Sequence, residues 1–274
     1  MGPQLDNSDG PIYRFKRMFL SVSACIHIVY GCGMKFSSLD AAHSKHAVFR
    51  RGPLHMLTTR DGNNRVLPLA LAVCETESTD TYHWFAEQCY QSGLGRYLKD
   101  SIVYTDRMKG IAAFYARFEG VYEAHCFKHI VENCRKHIRG SGRTFQSKTA
   151  WALRDANTRE QYLEQLAILR AQSPQAGHYF DSTMVHEQVF QYAMNENKVA
   201  THGFKTNQIA ECLNGVFVPA RHHTPYRLFD SALEWIGGQF AERHADMVKH
   251  ISARQHILTP YAMNNWKIQV WAQP

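Results

Sequence analysis

Three acidic residues that lie far apart in the chain, Asp40, Asp106 and Glu211, are the residues whose types and surroundings favour chemistry. Asp106 closely follows a β-branched and aromatic run, residues 102–104, and the chain then changes to helical spacing. A buried strand that turns into a helix places its last residue at the carboxyl edge of a sheet, where open α/β folds build their sites. Asp40 ends another predicted strand in the same way. The alternative for Asp106 is that it only caps the following helix.

Grouped carboxylates predict a site for hard divalent cations. If the two strands are neighbours, Asp40 and Asp106 lie side by side, and their like charges repel until a cation binds between them. Oxygen ligands select Mg²⁺ or Mn²⁺ over zinc. Two such ions suit in-line displacement at phosphorus, because one activates the attacking oxygen and the other stabilises the leaving oxygen. Glu211, on a predicted helix, is the expected third ligand.

The charge of the chain favours a polyanionic partner. Its 274 residues carry a formal net charge of +7, and phosphates attract Lys and Arg from a distance. A basic soluble protein without such a partner is the alternative. The hydrophobic content of 45% and the length are those of a globular protein with a sizeable core.

The cysteines and the first apolar stretch bear on location. Seven scattered cysteines, an odd number, are not typical of a disulfide framework and favour a reducing compartment. The apolar stretch from Met18 to Tyr30 follows a basic segment and has some features of a signal peptide. However, Ser21, Ser23 and His27 interrupt it, and it is too short and too polar to span a bilayer. We therefore predict one amphipathic helix from about residue 13 to Tyr30.

The elements that must position the acids follow the pattern three strands, helix, strand, helix, strand. The predicted strands cover Met34–Asp40, Leu54–Thr59, Val66–Cys74, the run before Asp106, and Val121–His125. A turn signal at residues 61–64 makes the second and third strands an antiparallel hairpin, and Pro68 indicates an edge or a bulge. Thr79 and Asp80 are the expected cap of the next helix. From about residue 127 to 197 the pattern is helical only, and long helices follow to residue 251.

Several segments in this order resemble the transposases of Mutator-like elements. Gly52–Ala70 resembles the family's second and third strands, and Glu75–Phe85 resembles the entry to its first core helix. Thr105–Gly110 is similar to its second aspartate motif, His125–Asn133 to its Cys-x-x-His segment, and Thr206–Asn214 to the motif that holds its glutamate. The resemblance extends from about residue 15 to residue 251.

This resemblance implies an α/β fold with an RNase H-like mixed sheet of five strands flanked by helices, and an all-helical insertion before the last catalytic helix. The implied domains are a lead-in at 1–12, a catalytic core at 13–126 and 200–251, an insertion at 127–199 and a tail at 252–274. The implied catalytic and metal-binding residues are Asp40, Asp106 and Glu211, with two Mg²⁺ or Mn²⁺ ions as cofactors.

The implied activity is cleavage of DNA strands at transposon ends by water, and then joining of the 3′-hydroxyl to target DNA. The expected partners are DNA and a second copy of the chain, in the nucleus, with no membrane and no small-molecule substrate.

Two departures from the family leave an alternative open. Asp40 is followed by Ala41 and Ala42, where the family usually has Asp-Gly-Thr. The family's amino-terminal and carboxy-terminal zinc-binding modules are also missing, so a fragment, or a decayed or domesticated copy, is expected as the alternative. Such a copy would bind DNA or protein as a regulator without catalysis. A third interpretation is an RNase H-type nuclease that does not join strands.

Cys126 and His129 have zinc-like spacing that Cys134 and His137 repeat, but the four converge only if the intervening helix is broken. The favoured interpretation places Cys126 and His129 beside the acidic site; a packed core pair is the alternative.

Two further sets are candidates for phosphate contact. Arg107 and Lys109 flank Asp106, and a basic run opens the helical insertion. This run comprises Arg135, Lys136, Arg139, Arg143 and Lys148. A second basic cluster contains Arg221, His222, His223 and Arg227. Solvated helix faces are the alternative for all of these sets. Trp151 and Trp235 have helical spacing and are expected in the core.

Overall fold

The computed structural model describes residues 15–32, 34–47, 49, 52–108, 110–139, 144–252 and 259–262. Within this part the chain folds around a mixed sheet of six strands flanked by helices. The strands are β1 Arg17–Leu20, β2 Phe36–His43, β3 Pro53–Arg60, β4 Val66–Cys74, β5 Ile102–Thr105 and β6 Tyr122–His125. The helices up to the last strand are α1 Ser23–Cys32, α2 Thr79–Cys89, α3 Gly95–Leu98 and α4 Ala112–Tyr115. After β6 come α5 Phe127–His137, α6 Ser147–Asp155, α7 Arg159–Gln172, α8 Pro174–Ser182, α9 Gln191–Glu196, α10 Gln208–Val216 and α11 Pro225–Ser252.

The strand order across the sheet is β1-β4-β3-β2-β5-β6. The pairs β1–β4, β4–β3 and β3–β2 are antiparallel, whereas β2–β5 and β5–β6 are parallel. The strands that carry or precede the two aspartates, β2 and β5, are therefore direct neighbours, as the metal-site hypothesis requires.

The amino-terminal segment corrects the sequence analysis. The prediction of one helix up to Tyr30 was wrong, because residues 17–20 form β1 and the helix begins only at Ser23. Strand β1 pairs with the outer edge of β4, from Arg17 opposite Cys74 to Leu20 opposite Leu71. The sheet thus has six strands instead of five. A run this short fits helical and strand spacing equally well, and the open edge of β4 decides between them by pairing its backbone groups.

The hairpin between β3 and β4 confirms the turn signal. Oδ1 of Asp61 accepts hydrogen bonds of 2.9 Å from the backbone N–H groups of Asn63 and Arg65, which closes the turn. The predicted irregularity at Pro68 is also confirmed. The β3–β4 register shifts between Leu57 and Thr58, beside Pro68, and the pairing with β1 does not reach that proline.

The N-cap of helix α2 lies one residue earlier than expected. Ser78, and not Thr79 or Asp80, is the N-cap, and it forms a capping box with Thr81. Gly93 interrupts the helical path after α2. Its φ of 95° is not helical, and the kink there separates α2 from α3.

Both faces of the sheet are covered. Helices α1, α2 and α4 pack on one face, around Leu39 and Leu57. Helices α10 and α11 pack on the other face, around Met56. Helices α5 to α9 share a further buried cluster that includes Phe127 and Phe180. The predicted domain boundaries stay a prediction.

The two tryptophans belong to the hydrophobic packing, as expected. Trp151 makes an edge-to-face contact with Phe127 at 4.9 Å between ring centroids, and Trp235 makes one with Phe217 at 5.9 Å. In the described part of the chain, none of the helices combines the length and the apolar character needed to cross a membrane.

Candidate active site

The β2–β5 register places Asp40 and Asp106 at equivalent positions. The last registered pair is Ser38 opposite Tyr104, and each aspartate lies two residues further on. Asp106 directly follows the last residue of β5, as predicted. Asp40 does not end its strand, because β2 continues to His43 and Asp40 pairs with Met56 of β3. The long antiparallel partner β3 keeps β2 extended beyond the predicted end.

Both aspartates lie on the face of the sheet that α10 covers. Side chains alternate between faces along a strand, so Asp40 shares a face with Ala42, and Asp106 continues the face of Tyr104. Ala42 packs with Leu213, and Tyr104 packs with residue 209, both on α10. The helix that carries Glu211 therefore faces the two aspartates.

Helix α10 is held on the sheet by apolar and polar contacts. Ile209 and Leu213 are each 1% exposed and anchor its inner face. One turn after Glu211, Nδ2 of Asn214 donates a 2.6 Å hydrogen bond to Oδ2 of Asp40. Positions three apart share one helix face, so this bond also brings Glu211 toward the sheet.

The pKa values of the two aspartates show that neighbouring carboxylates act on both of them. Burial and then the charge of Asp40 raise the pKa of Asp106 to about 6, and Glu211 contributes in the same direction. Burial raises the pKa of Asp40 as well; Glu211 adds to this rise, whereas His129 and the bond from Asn214 oppose it. Three acids from distant segments thus share one electrostatic environment.

Basic groups stand at the edge of this acidic centre. Nζ of Lys128 donates a 2.8 Å hydrogen bond to Oε2 of Glu211, and Nε2 of His129 lies 3.5 Å from Oε1 of the same carboxylate. A hydrogen bond to the sulfur of Cys126, together with the charges of Asp106 and Glu211, raises the pKa of His129 to about 9. His129 is therefore protonated at neutral pH.

Arg221, from the second basic cluster, lies near Asp40. Burial lowers the pKa of Arg221, and the negative charge of Asp40 opposes this change. Its Nη1 donates to the backbone oxygen of His43, three residues after Asp40, at 3.4 Å.

The donor set fits a divalent cation. Within the described residues, Oδ1 of Asp106 and Oε1 of Glu211 are buried oxygens with no hydrogen-bond partner. Burial without a partner is costly for a charged oxygen, and a cation near Asp106 would relieve the repulsion that raises its pKa. Among the described residues, the cluster of three ligand atoms within 4.8 Å of one another contains Glu211 but neither aspartate.

Cys126 and His129 lie beside the acids, as the favoured interpretation expected. One ligand atom from each of them and one from Glu211 all lie within 4.8 Å of one another. The four-ligand zinc alternative was wrong, because α5 is unbroken from residue 127 to 137. Cys134 is instead buried among the apolar residues of α5 to α9, and His137 packs near Tyr179.

The other predicted phosphate contacts lie further away or have other partners. Nη2 of Arg107 donates to the hydroxyl of Tyr179 at 2.8 Å, which directs it toward α8. Three of these residues are exposed at the carboxyl end of α5: Arg135, Lys136 and Arg139. Arg135 lies about 9 Å from His129 along the helix axis. Lys109 and Arg143 lie outside the described residues.

Sequence reasoning missed three neighbours of the site. The spacing of Glu211 and Asn214 on one helix face was a readable signal for Asn214. Lys128 had no such signal, since its partner lies 83 residues away. Glu77 was also missed. Its charge contributes to the raised pKa of Asp106, and its carboxylate accepts a 3.0 Å hydrogen bond from Tyr82.

Comparison with protein families gives one match. Residues 36–133 match the MULE transposase domain. The matched segment runs from β2 into α5, so it includes Asp40, Asp106, Cys126 and His129, whereas Glu211 lies beyond it. Comparison with curated protein sequences gave no match. A transposase domain implies DNA as the general partner, and transposases typically depend on divalent metals. Residues 36–133 are therefore similar to a MULE transposase domain, and this similarity supports a transposase of a Mutator-like element.

Proposed function

We propose that this chain is a DDE transposase domain that cleaves and joins DNA strands with divalent cations, using Asp40, Asp106 and Glu211. The observation that carries the proposal is the placement of Asp40 and Asp106 on the sheet face that α10 covers, where Asn214 of α10 bonds to Asp40 and the charge of Glu211 contributes to the raised pKa of both aspartates. Three antiparallel strands, β4-β3-β2, followed by the parallel strands β5 and β6, support an RNase H-like architecture.

The carboxylates would hold the cations. Oδ1 of Asp106 and Oε1 of Glu211 are the unpaired oxygens, and Asp40 has one oxygen fixed by Asn214. When bound, two Mg²⁺ or Mn²⁺ ions would supply the charge that activates an attacking oxygen and stabilises the leaving oxygen. Asp106, whose pKa is about 6, is ionised at neutral pH and ready to bind a cation.

The basic groups would position the phosphodiester. His129 carries a positive charge at neutral pH and lies at the edge of the acidic centre, where a phosphate oxygen would approach. The exposed residues Arg135, Lys136 and Arg139 would bind the DNA backbone away from the reacting bond. Action as a dimer in the nucleus is part of the same proposal.

The test is a nicking and strand-transfer assay with purified protein. Supercoiled plasmid and pre-cleaved oligonucleotide ends serve as substrates, with Mg²⁺, Mn²⁺ or a chelator. Asp106→Asn removes one proposed ligand, and Asp230→Asn is the matched control because Asp230 is exposed on α11. We expect metal-dependent product from the wild type and from Asp230→Asn, and none from Asp106→Asn.

Other outcomes overturn the proposal in identifiable ways. DNA binding without product would favour the non-catalytic regulator. Nicking without joining would favour the RNase H-type nuclease. Product that persists in Asp106→Asn would remove that residue from the chemistry.

A further inference from the structure

The first turns of helices α5 and α10 bring together three side chains with different donor atoms. These are the sulfur of Cys126, an imidazole nitrogen of His129 and a carboxylate oxygen of Glu211, all within 4.8 Å of one another. Cys126 is 1% exposed, whereas the side chains of His129 and Glu211 are 29% and 24% exposed. The cluster is therefore closed on the sulfur side and open to solvent on the other.

The local structure explains why these donors converge. Cys126 is the N-cap of α5 and makes no side-chain capping bond, so its sulfur is not used to satisfy the helix. His129 lies three residues further on, and the two side chains share one face of the helix. Glu211 reaches the same point from α10.

The two oxygens of Glu211 have different surroundings. Oε2 accepts the hydrogen bond from Lys128 at 2.8 Å. Oε1 faces Nε2 of His129 at 3.5 Å and has no hydrogen-bond partner in the described part of the chain. A cation could bind Oε1 without displacing Lys128 from Oε2.

The mixture of donors distinguishes this cluster from the aspartate centre. Sulfur and imidazole ligands suit Zn²⁺, whereas Mg²⁺ takes oxygen ligands. Donor atoms of a tetrahedral zinc site lie roughly 3.3–3.8 Å apart, because each is about 2.0–2.3 Å from the ion. The separation of 3.5 Å between Nε2 of His129 and Oε1 of Glu211 meets this requirement, and the sulfur of Cys126 lies within 4.8 Å of a ligand atom of each.

We infer that Cys126, His129 and Glu211 form a site for a thiophilic divalent cation, Zn²⁺, with water as the fourth ligand. Binding releases the thiol proton of Cys126 and the proton of His129 to solvent, and S–Zn and N–Zn bonds form in their place. Because Glu211 would serve both sites, Zn²⁺ removes it from the Mg²⁺ or Mn²⁺ centre. Zinc therefore inhibits the nuclease chemistry; only this last consequence rests on the proposed function.

The test is a titration of the metal-free protein with Co²⁺, followed by displacement with Zn²⁺. A cobalt ion bound to a thiolate gives a sulfur-to-metal charge-transfer band, which reports the ligand directly. We expect one band per chain, lost in Cys126→Ser and retained in Cys212→Ser. Cys212 is the matched control, because it is exposed and adjacent to Glu211 in sequence.

Zinc affinity is measured with a chromophoric chelator. We expect it to fall about 100-fold or more in Cys126→Ser and in Glu211→Gln, as for the loss of a direct ligand. Circular dichroism checks that each variant is folded. If Cys126→Ser does not fold, Glu211→Gln still tests the site. Loss of the band in Cys212→Ser, or unchanged zinc affinity in both ligand variants, would overturn the inference.

Asp106→Asn separates the two proposals. It removes a proposed ligand for the hard cations and none for zinc, so zinc affinity should fall at least about 10-fold less than it falls in Cys126→Ser. If zinc binds as expected but the wild type never nicks DNA, the proposed function fails and the zinc site stands. If the wild type nicks DNA and cobalt gives no thiolate band, the zinc site fails and the function stands.

Discussion

Nδ2 of Asn214 donates a 2.6 Å hydrogen bond to Oδ2 of Asp40, and this bond ties helix α10 to strand β2 across the candidate active site. Asn214 lies one turn after Glu211, so the contact helps to fix the position of that glutamate relative to the first aspartate. Asn214 bonds to Oδ2 of Asp40 and not to Oδ1. The hydrogen bond thus has a positioning role in the proposed metal centre.

Replacing this amide should weaken metal binding. In Asn214→Ala, Asp40 loses a donor that opposes the rise of its pKa, so its ionised form is less favoured. We expect the Mn²⁺ concentration for half-maximal nicking to rise about 10-fold, as for other groups that orient a metal ligand. Asn197→Ala is the control, since Asn197 bonds only to the helix backbone at Ala193. An unchanged Mn²⁺ dependence would contradict the positioning role.

The stability of the metal-free protein should depend on the ionisation of Asp106. Its pKa of about 6 in the folded protein exceeds the ordinary value near 4, so the folded state binds more protons between these pH values. The contribution of Asp106 to the free energy of unfolding therefore falls as pH rises from about 4 to about 6, and this contribution is level above that range.

Asp106→Asn should remove this dependence. With a chelator present, the variant should gain about 1–2 kcal/mol over the wild type between pH 4 and pH 6.5, a figure reduced for the partial exposure of the site. Denaturant unfolding at several pH values measures it. Asp230→Asn should show a constant difference, and a constant difference in Asp106→Asn would contradict the assignment.

The side chain of Arg154 joins the helical region to the sheet and is 1% exposed. It donates to Oε1 of Gln191 at 2.9 Å and to the backbone oxygen of Phe204 at 3.4 Å, and it lies 3.5 Å from the hydroxyl of Tyr104 on β5. Arg154→Leu removes the hydrogen bonds of a buried guanidinium and leaves a smaller apolar side chain in its place, so we expect a loss of about 2–4 kcal/mol in the free energy of unfolding.

The matched control for this change is Arg170→Ala. Arg170 is 51% exposed, and its ion pair with Asp181 should contribute at most about 1 kcal/mol. Chemical denaturation compares the two variants. An equal loss of stability in the two variants would show that Arg154 does not link the helical region to the sheet.

Gly110 follows the Asp106 loop in a conformation that other residues rarely adopt, with a φ of 89°. A Cβ atom there would lie 2.7 Å from the backbone nitrogen of Thr79, at the start of α2. Gly110→Ala should therefore cost about 2–3 kcal/mol and disturb the loop that carries Asp106. Gly215→Ala is the control, because its Cβ meets nothing within 4 Å inside α10 and should be neutral or stabilising. Thermal unfolding measures both, and equal melting temperatures would contradict the account.

Local patterns predicted the parts of the site that depend on neighbouring residues. The β-branched run before Asp106 and the turn at Asp61 have strong local signals, and the structure places them as expected. Asp40 was located less well, because the end of β2 depends on pairing with β3. The prediction of a helix over residues 17–20 failed for the same reason, because pairing with the edge of β4 makes them a strand.

Contacts between distant helices could not be predicted from the sequence. The bond between Lys128 and Glu211 joins residues 83 positions apart, and it depends on how α10 packs on the sheet. The partners of Cys126 and His129 were left open for the same reason. Only the tertiary structure shows that they meet Glu211 and not Cys134.

The central claim is that Asp40, Asp106 and Glu211 together bind divalent cations. Its most direct test is a crystal structure of the protein soaked in Mn²⁺, with anomalous scattering used to locate the ions. The account predicts Mn²⁺ peaks bonded to the carboxylates of all three residues, and their loss in Asp106→Asn. Saturating Mn²⁺ that leaves these carboxylates without a bound ion, or that binds only elsewhere on the protein, would contradict it.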